Sequence, residues 1–329
     1  MKNNKVIFIF SSPLQFLFCS LIAEKMDADK DIYGFYYTYQ KDFRNVFTKI
    51  IDVFDSKVVR INDVEHFKVN SLNPGDYVFF GNRYNNLECS LFKLVKTNTK
   101  NYFLYEEGFN TYLGHHFNNS TLNDTNLKLG IKNFVKTCLG KTPSHIKLND
   151  FQKVYTTFKL EHLKDQTKWV KIDFLSKNQP IVLENSTCLF LSQTLVEDGF
   201  IDEGTYLTFM NKVLKELSKN YDIIFFKTHP RNDVSLMQRI LNGNPKIKTL
   251  PEPYDTLPAE FFTKDFMVHL YGFTSSTLMY AASLFKTESF QCLDSLIELK
   301  STKELRSFQS SAGPLLKKHG VKPYSPFTK

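Results

Sequence analysis

The chain lacks a long apolar run and any Cys-x-x-Cys pair, and each lack closes a class of explanation. No segment reaches the ~18 apolar residues that a membrane-spanning helix requires. Residues 6–10 and 14–23 come nearest, and Ser11-Ser12-Pro13 and Gln15 interrupt them. With Lys2 and Lys5 in front, this stretch imitates a secretion signal. A buried strand, a serine N-cap and a proline at the first helical position account better for the same residues. Cys19 is preceded by Phe18, which is too bulky for a lipoprotein cleavage site. The five cysteines are odd in number, far apart and without zinc spacing. That pattern excludes a disulfide framework and points to a reduced, cytoplasmic protein.

Acidic residues are in deficit, 34 against 42 basic, for a formal charge of +8. The excess favours anionic partners. Its local clusters, Lys93, Lys96 and Lys100 and then Lys317, Lys318 and Lys322, accompany no nucleic-acid motif, so nucleic acid is not an expected partner. Aromatic residues are plentiful at 15%, mainly 32 Phe and 16 Tyr. They suit carbohydrate stacking, but burial is where Phe is usually found.

Short apolar runs alternate with amphipathic segments. Strands are expected at 6–10, 32–37, 57–61, 77–81, 101–105 and 154–156, with helices at 13–26, 43–53 and 86–95. After a polar connection at 160–180 a second series begins, with strands at 187–191, 222–227, 247–250, 266–270 and 288–292. Its helices are expected at 204–218, 234–241, 258–262 and 276–284. Such alternation predicts parallel sheets covered by helices on both faces. The expected domains are residues 1–170, residues 171–305 and a basic tail, 306–329, that reads as a solvated helix. The expected fold class is α/β of GT-B type, two Rossmann-like doubly wound domains facing a central cleft.

Three motifs follow predicted strands. Glu106-Glu107-Gly108 supplies two adjacent carboxylates that alternate in direction, so at most one serves a site. This excludes a glycosidase pair, whose carboxyl groups flank one bond at ~5–9 Å. One positioned carboxylate suits a general base, and Gly108 permits a sharp turn. His229-Pro230 follows Lys227-Thr228 at a strand end, where open α/β sheets bind ligands. A histidine there can bond a phosphate and donate a proton to it. Ser275-Ser276 opens a helix and can hold an anion as well as cap it. Glu260, in Leu257-Pro258-Ala259-Glu260, could accept hydrogen bonds from ribose hydroxyls. For each motif alone the plain alternative is a turn or a cap. His115-His116 has no third ligand at a metal-binding spacing, and no metal site is expected.

In this order the motifs resemble those of bacterial sialyltransferases, most closely the lipooligosaccharide type of glycosyltransferase family 52. Ser12-Pro13-Leu14-Gln15 is similar to the family's opening Thr-Pro-x-Gln, and Leu257-Pro258-Ala259-Glu260 to its Pro-x-Glu segment. The resemblance implies a GT-B fold, CMP-sialic acid as donor substrate, inversion, and no metal or other cofactor. It implies Glu107 as base, with Glu106 as the fallback, and His229 as the acid at the phosphate. It places Lys227, Pro230, Ser275 and Ser276 around CMP and Glu260 on the ribose.

The expected activity is transfer of sialic acid, with α2,3 linkage, to a galactose-terminated bacterial surface glycan such as lipopolysaccharide or O-antigen. Expected partners are CMP-sialic acid, a lipid-linked acceptor, an anionic inner membrane touched peripherally by the basic tail, and a second copy in a homodimer. A polysialyltransferase or another nucleotide-sugar transferase of capsule synthesis is the neighbouring alternative. A non-catalytic nucleotide- or glycan-binding module is the alternative of another class.

Overall fold

The computed structural model describes residues 4–26, 30–37, 57–58, 60–113, 115–116, 119–123, 145–173, 186–252, 254–255, 257–261 and 269–327. The helix expected at 43–53 falls outside them. The chain divides into two compact units, Met1–Leu175 and Ser176–Lys329.

In the first unit a seven-stranded sheet runs β3-β2-β1-β4-β5-β8-β9. Its strands are β1 (Lys5–Phe10), β2 (Asp31–Tyr36), β3 (Arg60–Asp63), β4 (Tyr77–Phe80), β5 (Asn101–Tyr105), β8 (Lys153–Thr156) and β9 (Trp169–Lys171). All neighbours pair in parallel. A separate antiparallel hairpin joins β6 (His115–His116) to β7 (Asn119–Asn123). β1 is buried from Val6 onward because it is covered on both faces, which is why it reads as an unbroken apolar run. It leads straight into α1 (Pro13–Glu24), where Ser12 Oγ accepts the Gln15 N–H at 3.2 Å and Pro13 stands in the first turn. The cap and the proline are the ones the sequence predicts. Stacking of Phe8 on Phe79 (4.7 Å) and contact of Phe79 with Phe103 (4.8 Å) tie β1, β4 and β5 across one face.

The second unit repeats the pattern with a six-stranded parallel sheet, β12-β11-β10-β13-β14-β15. These strands are β10 (Thr187–Leu191), β11 (Ile223–Lys227), β12 (Ile247–Thr249), β13 (His269–Gly272), β14 (Ser289–Gln291) and β15 (Lys322–Pro323). β10 is fully buried, and Phe190 stacks on Phe226 of β11 at 5.5 Å and 7°. Residues 306–329 contribute much of a helix, Lys303–Lys318, whose Leu305, Phe308, Ala312 and Leu316 are buried, and the edge strand β15. Phe308 lies 5.1 Å from Phe200, and the Tyr324 N–H donates to the Gln291 carbonyl at 2.8 Å. The C-terminal segment is therefore part of this unit's core; its lysines occupy the outer face of an amphipathic helix.

In each unit the chain reverses direction across the sheet between two central strands: β1 and β4 in the first, β10 and β13 in the second. Outside the carboxyl ends of such a strand pair, helices diverge to opposite faces and leave a crevice for ligand. All three predicted motifs lie at carboxyl ends of strands: after β5, after β11 and after β13.

Gly81, immediately after β4, is approached closely. A Cβ there would lie 2.6 Å from the Tyr105 hydroxyl and 2.7 Å from Gln15 Nε2. Tyr105 cannot give way, since it is fully buried and donates to the Ile9 carbonyl at 2.7 Å. Gly81→Ala is expected to lower stability by roughly 1–3 kcal/mol, measured as a shift of the urea midpoint; an unchanged midpoint would show that this strand end is loosely packed.

Candidate functional site

In the first unit the two adjacent glutamates have opposite environments. Glu106 is fully buried and bonded: the Thr157 N–H donates to it at 2.7 Å and the Tyr112 hydroxyl donates to its other oxygen. Its carboxylate thus holds the end of β5 against the ends of β8 and the short helix Phe109–Leu113. Glu107 is half-buried as a residue, but both carboxylate oxygens are shielded from solvent and, among the described residues, neither accepts a hydrogen bond of good geometry, Asn110 being the polar neighbour. Burial pushes its pKa up to about 7, against the opposing pull of Asn110 and of the Arg83 guanidinium. Gly108, at φ 105°, takes the left-handed turn that follows, a conformation costly for other residues.

Sequence reasoning missed what surrounds this carboxylate. Glu88, in the first turn of the helix Asn86–Asn98, is fully buried. One of its oxygens accepts from the Tyr37 hydroxyl at 2.6 Å and the other from the Asn82 N–H at 2.8 Å. Desolvation raises its pKa to about 8, with Glu107 adding a repulsive charge. Arg83 is also buried, donates to the Ile146 carbonyl at 3.2 Å and to Tyr84 Oη, and lies over the Tyr84 ring. In the linear chain Glu88 reads as an ordinary acidic residue complementing a helix N-terminus. Only the placement of β2 beside β1, with β4 on the other side of β1, reveals that Tyr37 reaches it.

In the second unit, the loops after β10, β11 and β13 are stitched together. His229 follows β11, and its Nδ1 accepts the Arg231 backbone N–H at 3.1 Å. A backbone N–H can only donate, so the ring proton of neutral His229 sits on Nε2. Burial lowers its pKa to about 4, assisted by the Arg231 charge, so the ring is neutral across the physiological range. The His229 N–H donates to Asn232 Oδ1 at 2.8 Å, which also accepts from Ser192 Oγ at 2.6 Å. Arg231 pairs with Asp198 (2.9 Å) and donates to Thr194 Oγ1 (3.0 Å) in the loop after β10.

Glu260 and the paired serines meet. The buried Glu260 carboxylate accepts from Ser276 Oγ at 3.0 Å and Thr277 Oγ1 at 2.8 Å at the start of the helix Ser276–Phe285. Ser275 caps that helix by accepting the Thr277 N–H at 3.2 Å, which leaves its own O–H to be donated elsewhere. Lys227 is turned onto backbone: its ammonium donates to the Tyr254 and Asp255 carbonyls at 3.0 and 2.8 Å, and burial lowers its pKa to about 8. Pro230, exposed, completes the turn after the histidine. Among the described residues no cluster of three His, Cys, Asp or Glu side chains could hold a metal ion, and no helix is long and apolar enough to cross a membrane. His115 and His116 are described in backbone only.

The fold and these strand-end motifs define a GT-B-type α/β protein, and solved structures of similar fold agree. A putative UDP-N-acetylglucosamine 2-epimerase from Listeria monocytogenes is 12% identical with a TM-score of 0.54, covering 99% of this chain and 93% of its own. UDP-GlcNAc 2-epimerase from Neisseria meningitidis, bound to UDP-GlcNAc, is 10% identical at 0.55, covering 98% and 96%. A glycotransferase of kitacinnamycin is 7% identical at 0.52, covering 100% and 88%. Among curated proteins no sequence matches the chain. The family model described as alpha-2,8-polysialyltransferase matches residues 1–294, and the chain belongs to that family.

The buried acids set a pH dependence of stability. Glu88 titrates near 8 in the fold and near the ordinary carboxylate value of 4.5 when unfolded, so its contribution is fully present below about 4.5 and is lost as pH rises through 8. Glu88→Gln mimics the protonated form, donating to Tyr37 and accepting from Asn82. Its unfolding free energy is expected to fall less than that of wild type between about pH 5 and pH 9, the difference amounting to a few kcal/mol at the alkaline end, as read from urea unfolding at each pH. Parallel curves for the two proteins would mean that Glu88 ionises freely in the fold.

Proposed function

We propose that this protein is an inverting sialyltransferase that draws sialic acid from CMP-sialic acid without a metal ion. The observation that carries the reading is the desolvated carboxylate of Glu107 at one strand end, in a chain that also presents a neutral, tautomer-fixed His229 at another. In a single displacement the acceptor hydroxyl oxygen forms the bond to the anomeric carbon while the bond from that carbon to the phosphate oxygen breaks. Glu107 takes the hydroxyl proton. A carboxyl titrating near neutrality is well matched to that task, being ionised in good part yet basic. Glu106, with both oxygens engaged in fixing β5, is the less suitable base.

At the other end of the reaction, negative charge grows on the departing phosphate. His229 Nε2–H and the Ser275 hydroxyl are fixed donors to it, and stabilise the transition state more than the ground state. An anion at Nε2 also raises the low histidine pKa, so that the ring could pass its proton to the phosphate. Glu260, already oriented by Ser276 and Thr277, retains acceptor capacity for the ribose hydroxyls. Lys227 contributes by fixing the 254–255 turn and adding positive charge.

Membership of the polysialyltransferase family favours an acceptor that already ends in sialic acid and an α2,8 product. Transfer to a terminal galactoside of a lipopolysaccharide-type glycan is the second reading, carried by the motif order. Either acceptor could be lipid-linked, and the exposed Lys317 and Lys318 at the end of the last helix would then meet an anionic cytoplasmic membrane face.

In EDTA, wild type should transfer sialic acid to one of two labelled acceptors, a sialylated oligosaccharide or a galactoside. His229→Ala should lose roughly 100-fold or more in rate. Metal dependence, or an unimpaired His229→Ala, would contradict the proposed acid. The rate should also fall as pH drops through about 7, following protonation of Glu107, and Glu107→Gln should cost roughly 100- to 10,000-fold. A Glu106→Gln variant that folds normally but loses as much activity as Glu107→Gln would reassign the base.

A further inference from the structure

Between the histidine motif and the paired serines stands Gln193, two residues beyond the central strand β10. It lies at the crevice of the second unit, where the chain changes direction between β10 and β13. Its main-chain carbonyl accepts from Asn232 Nδ2 at 3.2 Å, the same side chain that holds the His229 N–H. Its side-chain oxygen accepts from both the Thr274 N–H at 2.8 Å and Thr274 Oγ1 at 2.9 Å, next to Ser275. Because the Thr274 N–H can only donate, the amide orientation is settled. Oxygen faces Thr274, and the NH2 group faces away from it. That NH2 has no hydrogen-bond partner among the described residues, and Gln193 is half-buried.

We propose that Gln193 is a donor-site residue whose Nε2–H2 group binds an anionic oxygen of the nucleotide sugar, the CMP phosphate in particular. The inference rests on the sialyltransferase reading for the identity of the ligand. Two fixed N–H bonds at the centre of the crevice supplement His229 Nε2 and the Ser275 hydroxyl, and they come from a residue bonded to both motif loops. Gln193 thereby aligns histidine and serines as well as binding between them. The surrounding cations do not replace it: Lys227 is spent on the 254–255 carbonyls and Arg231 on Asp198 and Thr194.

Gln193→Glu separates binding from bridging. A glutamate keeps the oxygen that Thr274 bonds, removes the N–H donors and sets a negative charge against the phosphate. Calorimetric titration with CMP and with CMP-sialic acid should show affinity reduced by roughly tenfold or more, at an unchanged melting temperature. Loss confined to CMP-sialic acid would move the contact to the sugar carboxylate, still an anionic oxygen. Wild-type affinity for both ligands in Gln193→Glu would overturn the proposal and leave the sialyltransferase reading intact. Failure of wild type itself to bind either ligand would overturn both. Should Gln193→Glu lose its fold, Gln193→Met, neutral and of similar length, is judged by the same affinities.

Discussion

A carboxylate removed from water with little hydrogen bonding is expensive, and among the described residues the chain holds one at the end of β5. The rest of the first unit's strand-end architecture is arranged around that cost. Gly108 turns the chain immediately after Glu107, Arg83 supplies a nearby positive charge, and Asn110 adds a polar neighbour. The adjacent Glu106 shows the opposite arrangement, with both oxygens bonded and the side chain used as a structural tie. One residue stores basicity and its neighbour spends its charge on packing, and the difference lies entirely in which groups the sheet brings to each. Glu88 adds a second desolvated acid, so that ionising both at once is opposed by their mutual repulsion.

The two units use the same device at the strand pair where the chain reverses. After β1 the Gln15 side-chain oxygen accepts the Ser11 N–H (2.6 Å) and Ser11 Oγ–H (3.0 Å). After β10 the Gln193 side-chain oxygen accepts the N–H and hydroxyl of Thr274. In each case an amide saturated on oxygen by a strand-end hydroxy residue has its nitrogen oriented by default. Parallel strand ends abound in unpaired backbone groups, and a glutamine supplies acceptor and donor together without adding charge. In the first unit the nitrogen is directed toward Gly81, where a Cβ would collide with it.

Much of this was legible in sequence. The apolar runs at 6–10, 77–81, 101–105 and 187–191 mark buried parallel strands, and Ser12-Pro13 marks a helix start, because both signals are local. The three motifs could be placed at strand ends for the same reason. Less legible was β9, three residues within a polar connection, where pairing with β8 rather than composition makes the strand. The C-terminal helix reads as a basic tail since its lysines dominate the letters, while four buried residues spaced three or four apart decide its place. Nor could sequence distinguish Glu106 from Glu107 beyond their opposite directions. The partners that separate them, Tyr112 and Thr157, lie 6 and 51 residues away. The family match is to the alpha-2,8-polysialyltransferase family and leaves the lipooligosaccharide type suggested by the motif resemblance unconfirmed. Motifs of two or three residues carry little information about which branch of related families a chain belongs to.

The central claim is that Glu107 is a desolvated carboxyl poised near neutrality, and its ionisation can be observed directly. Carbon-13 NMR of protein labelled at glutamate carboxyl carbons, compared with Glu107→Gln, isolates the resonance. The resonance missing from the variant is expected to titrate near pH 7. A Glu107 resonance that titrates in the ordinary carboxylate range near 4.5 would show the group to be solvated and would contradict the account.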